Sequence, residues 1–287
     1  MKTHLGAMES ALAGLFDYAG IFPPAGLDLR MAVRNYLEYQ QGRHAWALGC
    51  MVIDEHGLSA LQEAAEDETY NLRLSAITTD MDLAPVSRYI EKKLPIAMVE
   101  VKAADRGAIL RSKEDFPAGV AVYVEVPMGL TDSGMLDAMD QAGMRAKLRM
   151  GGVVAEAFPT AESVTAALKT LAERRMAFKA TAGLHHPLRS RHPFTYQPDS
   201  KVGMMHGFMN LVCAAALVWF GGEADEAARL LEERDSRAWQ VEHEAIRWRS
   251  REWSTEQLRE VRERFLISIG SCSFSEPISD LEALGWL

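Results

Sequence analysis

The chain has 287 residues, 48% hydrophobic and 25% charged, which excludes a disordered, collagen-like or disulfide-scaffold protein. A net charge of −9 and a pI near 5.5 argue against a nucleic-acid partner, which needs a basic surface. Neither value excludes a small anionic ligand in a locally basic pocket.

Cys50, Cys213 and Cys272 show no metal or redox spacing, and any pairing leaves one over, so a reducing cytoplasm is expected. Glu9 interrupts the N-terminus before any apolar signal core can form. The most apolar stretch, 208–220, is shorter than the roughly 20 residues that span a bilayer and contains Asn210. It reads as a buried helix, with no membrane association expected.

Apolar, β-rich runs are expected as strands at 15–19, 45–53, 72–78, 95–101, 119–126, 144–150, 176–182 and 265–270. Helical periodicity lies between them at 29–39, 58–66, 86–93, 131–142 and 160–174, the last two opening on Thr-rich caps. Near-continuous apolar strands alternating with helices indicate a parallel sheet covered on both faces. Eight such repeats point to an α/β fold, a single-domain (β/α)8 TIM-type barrel. An open doubly wound sheet would carry a Gly-rich nucleotide turn after its first strand, whereas this chain has Asp17-Tyr18-Ala19-Gly20-Ile21-Phe22-Pro23-Pro24. Residues 184–264 break the rhythm and read as a helical insertion between strands 7 and 8. Its tryptophans, Trp239, Trp248 and Trp253, suggest a subunit contact, with a homo-oligomer through the insertion, or the docking of a lid.

Alternate residues of a barrel strand face the interior. That period puts Glu100 with Lys102 on the fourth strand, Tyr123 with Glu125 on the fifth, Lys147 with Arg149 on the sixth and Lys179 with Thr181 on the seventh. Isolated buried charges are costly, so acids and bases on successive strands imply a mutually paired cluster. Such a cluster is either a structural ion-pair network or an active site at the C-terminal rim. A lysine attacks a carbonyl only when neutral, and a second cation nearby lowers its pKa from about 10.4. Lys147 beside Lys179 and Arg149 fits that requirement, with Glu100 or Glu125 moving protons.

The blocks Lys147-Leu-Arg-Met-Gly151, Lys179-Ala-Thr-Ala-Gly183 and Ile269-Gly-Ser-Cys-Ser273 resemble the sixth-, seventh- and eighth-strand motifs of class I deoxyribose-phosphate aldolases. The resemblance implies a (β/α)8 barrel that works through a Schiff base and needs no cofactor. Lys147 would form the imine, Lys179 would assist it and Glu100 would be the acid/base. Gly270, Ser271 and Ser273 would hold a phosphate or carboxylate on exposed backbone N–H groups. The sequence departs from the family pattern at Leu148, Arg149 and Ala182, and a fixed Arg149 would let Lys147 bind an anion without reacting. The whole chain also resembles a group of bacterial proteins with Phe-Asp-Tyr-Ala-Gly-Ile-Phe-Pro-Pro and Phe-Lys-Ala-Thr-Ala-Gly-Leu-His-His-Pro blocks, and no activity follows from that likeness.

Asp17 and Tyr18 are expected at the mouth of the barrel as an acid and a phenolic donor, or as a capped turn. His185 reads as a substrate-contacting loop residue. With His186, Glu100 and Glu125 it also offers a metal-site alternative. Cys272 reads as a small filler in the last turn, since a nucleophilic role would require a nearby base. The expected function is a lyase or aldolase on a small anionic carbonyl metabolite. The alternatives are a metal-assisted hydrolase or isomerase and a non-catalytic anion-binding barrel.

Overall fold

The computed structural model describes residues 6–64, 71–102, 105–112, 119–129 and 133–287. Seven strands come first: β1 (Phe16–Tyr18), β2 (Leu48–Asp54), β3 (Leu74–Thr78), β4 (Ile96–Val101), β5 (Ala121–Glu125), β6 (Arg145–Arg149) and β7 (Phe178–Thr181). Helix α1 (Ala7–Leu12) precedes β1. The helices α2 (Leu29–Gln41), α3 (Glu55–Ala64), α4 (Ala84–Glu91), α5 (Arg106–Ser112), α6 (Ser133–Ala142) and α7 (Ala161–Glu173) follow β1 to β6 in turn.

The segment after β7 contains β8 (Ser190–Pro193), β9 (Val202–Met205), α8 (Phe208–Trp219), α9 (Ala224–Leu231), β10 (Trp239–Val241), β11 (Ala245–Trp248), β12 (Arg251–Ser254) and α10 (Thr255–Arg264). Strand β13 (Leu266–Ser271) then closes the barrel between β7 and β1, and α11 (Ser275–Ala283) follows. All eight barrel neighbours pair in parallel, in the order β1-β13-β7-β6-β5-β4-β3-β2. This is a TIM-like α/β architecture.

The expected strands overlap all eight barrel strands. Helix caps work locally: Asp28 accepts from the Met31 N–H, and Thr160 from the Ser163 N–H. The Thr131–Asp132 cap expected for α6 lies outside the described residues. Strand β6 shows why the interior is polar. Ala146 and Leu148 are fully buried within the main apolar cluster, whereas the alternate residue Lys147 enters the barrel and pairs there with acids. Low in the barrel, Cys50, Met98 and Tyr123 form a separate apolar cluster with Ile267 packed against it.

The insertion is not a helical block. It carries a two-stranded antiparallel sheet, β8–β9, and a three-stranded antiparallel sheet, β10–β11–β12, besides its helices. Two residues, Arg249 and Ser250, connect β11 to β12, and Arg249 takes a left-handed φ of 54°. Trp239, Trp248 and Trp253 are buried within the chain, so they do not form the exposed subunit contact expected of them. Helix α8 is buried along its whole length and packs against α7, α9 and α10. Its Phe208 meets Phe16 of β1 edge-on at 5.1 Å. Among the described residues no helix is long and apolar enough to cross a membrane.

Candidate functional site

Inside the barrel, acids and bases alternate along one chain of contacts. Lys179 Nζ lies 2.7 Å from Asp17 Oδ2 and 2.5 Å from Glu100 Oε1. The second oxygen of Glu100 lies 3.0 Å from Lys147 Nζ. Lys147 continues to Glu125 Oε2 at 3.2 Å, and Glu125 Oε1 accepts from Arg149 Nε at 2.8 Å. Lys147 and Lys179 are register partners on β6 and β7, so one carboxylate bridges both amines.

The inner end is sealed: Asp17, Glu100 and Lys179 are each no more than 1% exposed. The outer end, Arg149, is 47% exposed along its side chain. Removing ions from water costs several kcal/mol each, and the alternating signs offset that cost. Neutral donors complete the inner end. Ser75 Oγ donates to Glu100 Oε1 at 2.6 Å, Ser268 Oγ to Asp17 Oδ2 at 2.6 Å, and the Cys50 N–H to Asp17 Oδ1 at 2.7 Å. Sequence reasoning missed Ser75 and Ser268, although the same period of two applied to β3 and β13 would have placed both hydroxyls inside.

Burial pushes the Glu100 carboxyl up, but the charges of Lys179 and Lys147 outweigh it and hold the group at about 2. Burial likewise pushes the Lys179 amine down, and Asp17 and Glu100 outweigh it, leaving the amine above its ordinary value. Lys179 is therefore an ion-paired cation: Glu100 stands between the two amines and Asp17 pairs with its far side. Glu125 is held below its ordinary value: burial opposes this, while Arg149 and Lys147 drive it.

A cavity of about 330 Å³ opens above this chain at the C-terminal ends of the strands. Glu100, Lys102, Lys147, Arg149, Thr181 and His185 reach its wall, together with Gly270 and Cys272. A neighbouring depression shares Lys102 and Arg149 and adds Glu125. The arrangement is one open pocket with a lysine in its wall, two further cations at its edge and a bridging carboxylate beneath.

Four expected site residues lie elsewhere. Asp17 is deep in the network and not at the mouth. Tyr18 belongs to the opposite face of β1, where its ring meets Tyr39 edge-on at 5.4 Å and its hydroxyl accepts from Asn35. Ser271 and Ser273 stand outside the cavity wall: Ser271 Oγ donates to the Ser273 carbonyl, and Ser273 Oγ accepts from the Glu276 N–H at the start of α11. Of the expected anion turn, Gly270 and Cys272 border the cavity.

The histidines carry partners of their own. His185 Nδ1 is 2.9 Å from Glu276 Oε2, and His186 Nδ1 is 2.6 Å from Asp280 Oδ2. His186 stacks on His192 at 3.3 Å. Among the described residues no group of three or more His, Cys, Asp or Glu side chains is arranged to hold a metal ion.

Fold and site together define a TIM-like barrel with a charged, partly open cavity at the rim where barrels of this type hold their ligands. No protein-family model matches the chain, and no curated protein matches its sequence.

Proposed function

We propose that the protein is a lyase of the class I aldolase kind, acting on a small carbonyl substrate with a phosphate or carboxylate through an imine on Lys147. One observation carries this reading: Lys147 is in the cavity wall, and Glu100, 3.0 Å from its amine, is anchored from behind by Lys179.

The anionic end of the substrate pairs with Arg149 and Lys102, which brings the carbonyl over Lys147. Lys147 passes a proton to a neighbouring carboxylate and attacks the carbonyl carbon, giving a carbinolamine. Glu100 is strongly acidic because two cations face it, and loss of charge at Lys147 removes one of them. The carboxylate then becomes basic enough to take the proton and return it to the departing hydroxyl, leaving the iminium. Lys179, tied to Asp17, keeps its charge and fixes the orientation of Glu100, so it acts as a positioning residue. A carboxylate then takes the proton from a hydroxyl on the β carbon. That carbon becomes a carbonyl as the bond between the α and β carbons breaks, and its electrons pass into the iminium to leave an enamine on Lys147, as in retro-aldol cleavage.

The test is borohydride reduction in the presence of small aldehydes and ketones bearing carboxylate or phosphate, followed by peptide mass mapping. The expected result is a stable adduct at Lys147 that disappears in Lys147→Ala. Absence of any adduct across such a panel overturns the reading.

A further inference from the structure

A second cluster faces the same cavity and takes no part in the lysine chemistry. Cys272 immediately follows β13, and its Sγ lies 3.9 Å from His185 Nε2. The opposite ring nitrogen of His185 is held 2.9 Å from Glu276 Oε2. Tyr196 Oη donates to that same oxygen at 3.0 Å and lies 3.7 Å from the sulfur. Cys272 and His185 both border the cavity, yet are only 6% and 8% exposed, so the cavity is their route to solvent.

The set has the parts that activate a nucleophile: a thiol, an imidazole facing it, and a carboxylate that fixes the ring. Because Glu276 engages Nδ1, Nε2 is the nitrogen presented to sulfur. The backbone just before His185 is unusual, since Ala182 and Gly183 both adopt left-handed φ values, 65° and 70°. Such a conformation at a non-glycine residue costs free energy and gathers at functional sites. Burial pushes the His185 imidazole down, but Cys272 and Glu276 outweigh it and raise it to about 9. The other titratable groups around it are Tyr196, His186, His192 and Asp280.

We propose that Cys272 is a second nucleophile of the rim cavity, with His185 as its base and Glu276 orienting the ring, and that it adds to a small aldehyde carrying an anionic group. The sulfur–carbon bond forms as the carbonyl π bond breaks onto oxygen. The sulfur attacks while paired with the His185 imidazolium, and the Nε2 proton then passes to that oxygen, giving a hemithioacetal with no oxidant and no leaving group. The cations Arg149 and Lys102 select the anionic group. This inference does not depend on an imine at Lys147.

The experiment is timed alkylation by iodoacetamide near neutral pH, read by peptide mass mapping. Cys50 and Cys213 are internal controls, since both are fully buried and burial pushes their thiols up. Cys272 is expected to label at least about tenfold faster than either. His185→Gln is expected to slow it by about a hundredfold, and Glu276→Gln by less. Equal labelling of the three cysteines in the unaltered protein overturns the proposal. So does faster labelling in a folded His185→Gln protein, which would mean that the ring merely shields a filler thiol.

Glyoxylate serves as the aldehyde probe. It is expected to protect Cys272 from iodoacetamide in the unaltered protein and in Lys147→Arg, which keeps a cation but cannot form an imine. Protection that vanishes in Lys147→Arg would assign the aldehyde to the amine alone and overturn the thiol's part. A missing borohydride adduct at Lys147 with protection intact would instead overturn only the imine.

Discussion

Asp17 Oδ2 and Lys179 Nζ lie 2.7 Å apart although 162 positions separate them in sequence. The pair joins β1 to β7 through the barrel interior, and β13, between those two strands, contributes Ser268 to the same carboxylate. Removing one partner of a buried pair leaves the other charge uncompensated. Asp17→Ala is therefore expected to lower stability by about 3–5 kcal/mol, read as a shift of the urea midpoint at constant slope. A loss below about 1 kcal/mol, the range of surface pairs, would contradict a structural role for this pair.

The network also gives stability a pH profile. Glu100 titrates at about 2 in the folded chain against an ordinary 4.5, so its contribution is present above 4.5 and lost as pH falls toward 2. The shift corresponds to about 3 kcal/mol, with no discount for solvent because the group is buried. Lys179 is shifted upward, so its contribution is present below its ordinary value of 10.5 and lost as pH rises through its folded value. Urea midpoints measured across pH should fall on the acid side, and Glu100→Gln should flatten that limb. An equally steep acid limb in the variant would assign it to other carboxylates.

Ala182 and Gly183 should respond in opposite directions. Ala182 has φ 65°, and replacing it with glycine removes a strain of about 1 kcal/mol. Gly183 has φ 70°, and a Cβ there would stand 2.6 Å from Phe158 Cε1. Thermal melts should show Ala182→Gly unchanged or higher, offset by glycine's greater unfolded-state entropy, and Gly183→Ala lower by about 1–3 kcal/mol.

Arg149 is half exposed, so its pair with Glu125 contributes at most about 1 kcal/mol to stability. Its expected effect is on ligand affinity. In Arg149→Ala, the glyoxylate concentration that half-saturates borohydride labelling of Lys147 should rise about tenfold, with added salt narrowing the gap. A large loss of stability without a change in that concentration would make Arg149 structural.

Glu233 anchors the insertion. Its carboxylate accepts from the Arg234 and Asp235 N–H groups, from Trp248 Nε1 and from Arg249. Glu233→Ala leaves buried donors unsatisfied and should cost about 2–4 kcal/mol, visible as a changed tryptophan emission before global unfolding.

Much of the barrel was legible because its strands are apolar runs bounded by helical periodicity. Helix α5 was not, being too short to show a period. The sheet β10–β11–β12 was hidden by its Glu and Arg residues, which resemble a solvated helical face. Its tight turn uses Arg249 in a left-handed conformation that a sequence ordinarily advertises with glycine or asparagine. At the site, Glu100, Lys147, Glu125, Arg149 and Lys179 were found by strand alternation, whereas Tyr18 was misplaced because Asp17 and not Tyr18 takes the inward position on β1.

The amino-acid order alone determined which barrel strands exist and which of their charged residues share a face, because both depend on local periodicity. Tertiary structure decided what those charges do to one another. Closing the barrel set Glu100 between two lysines and sealed Asp17 behind them. Folding α11 back over the rim brought Glu276 to His185 across 91 positions, turning a filler cysteine's neighbourhood into a thiol–imidazole–carboxylate set. Electrostatic energies depend on distance and burial in space, and neither is encoded in any short stretch of the chain.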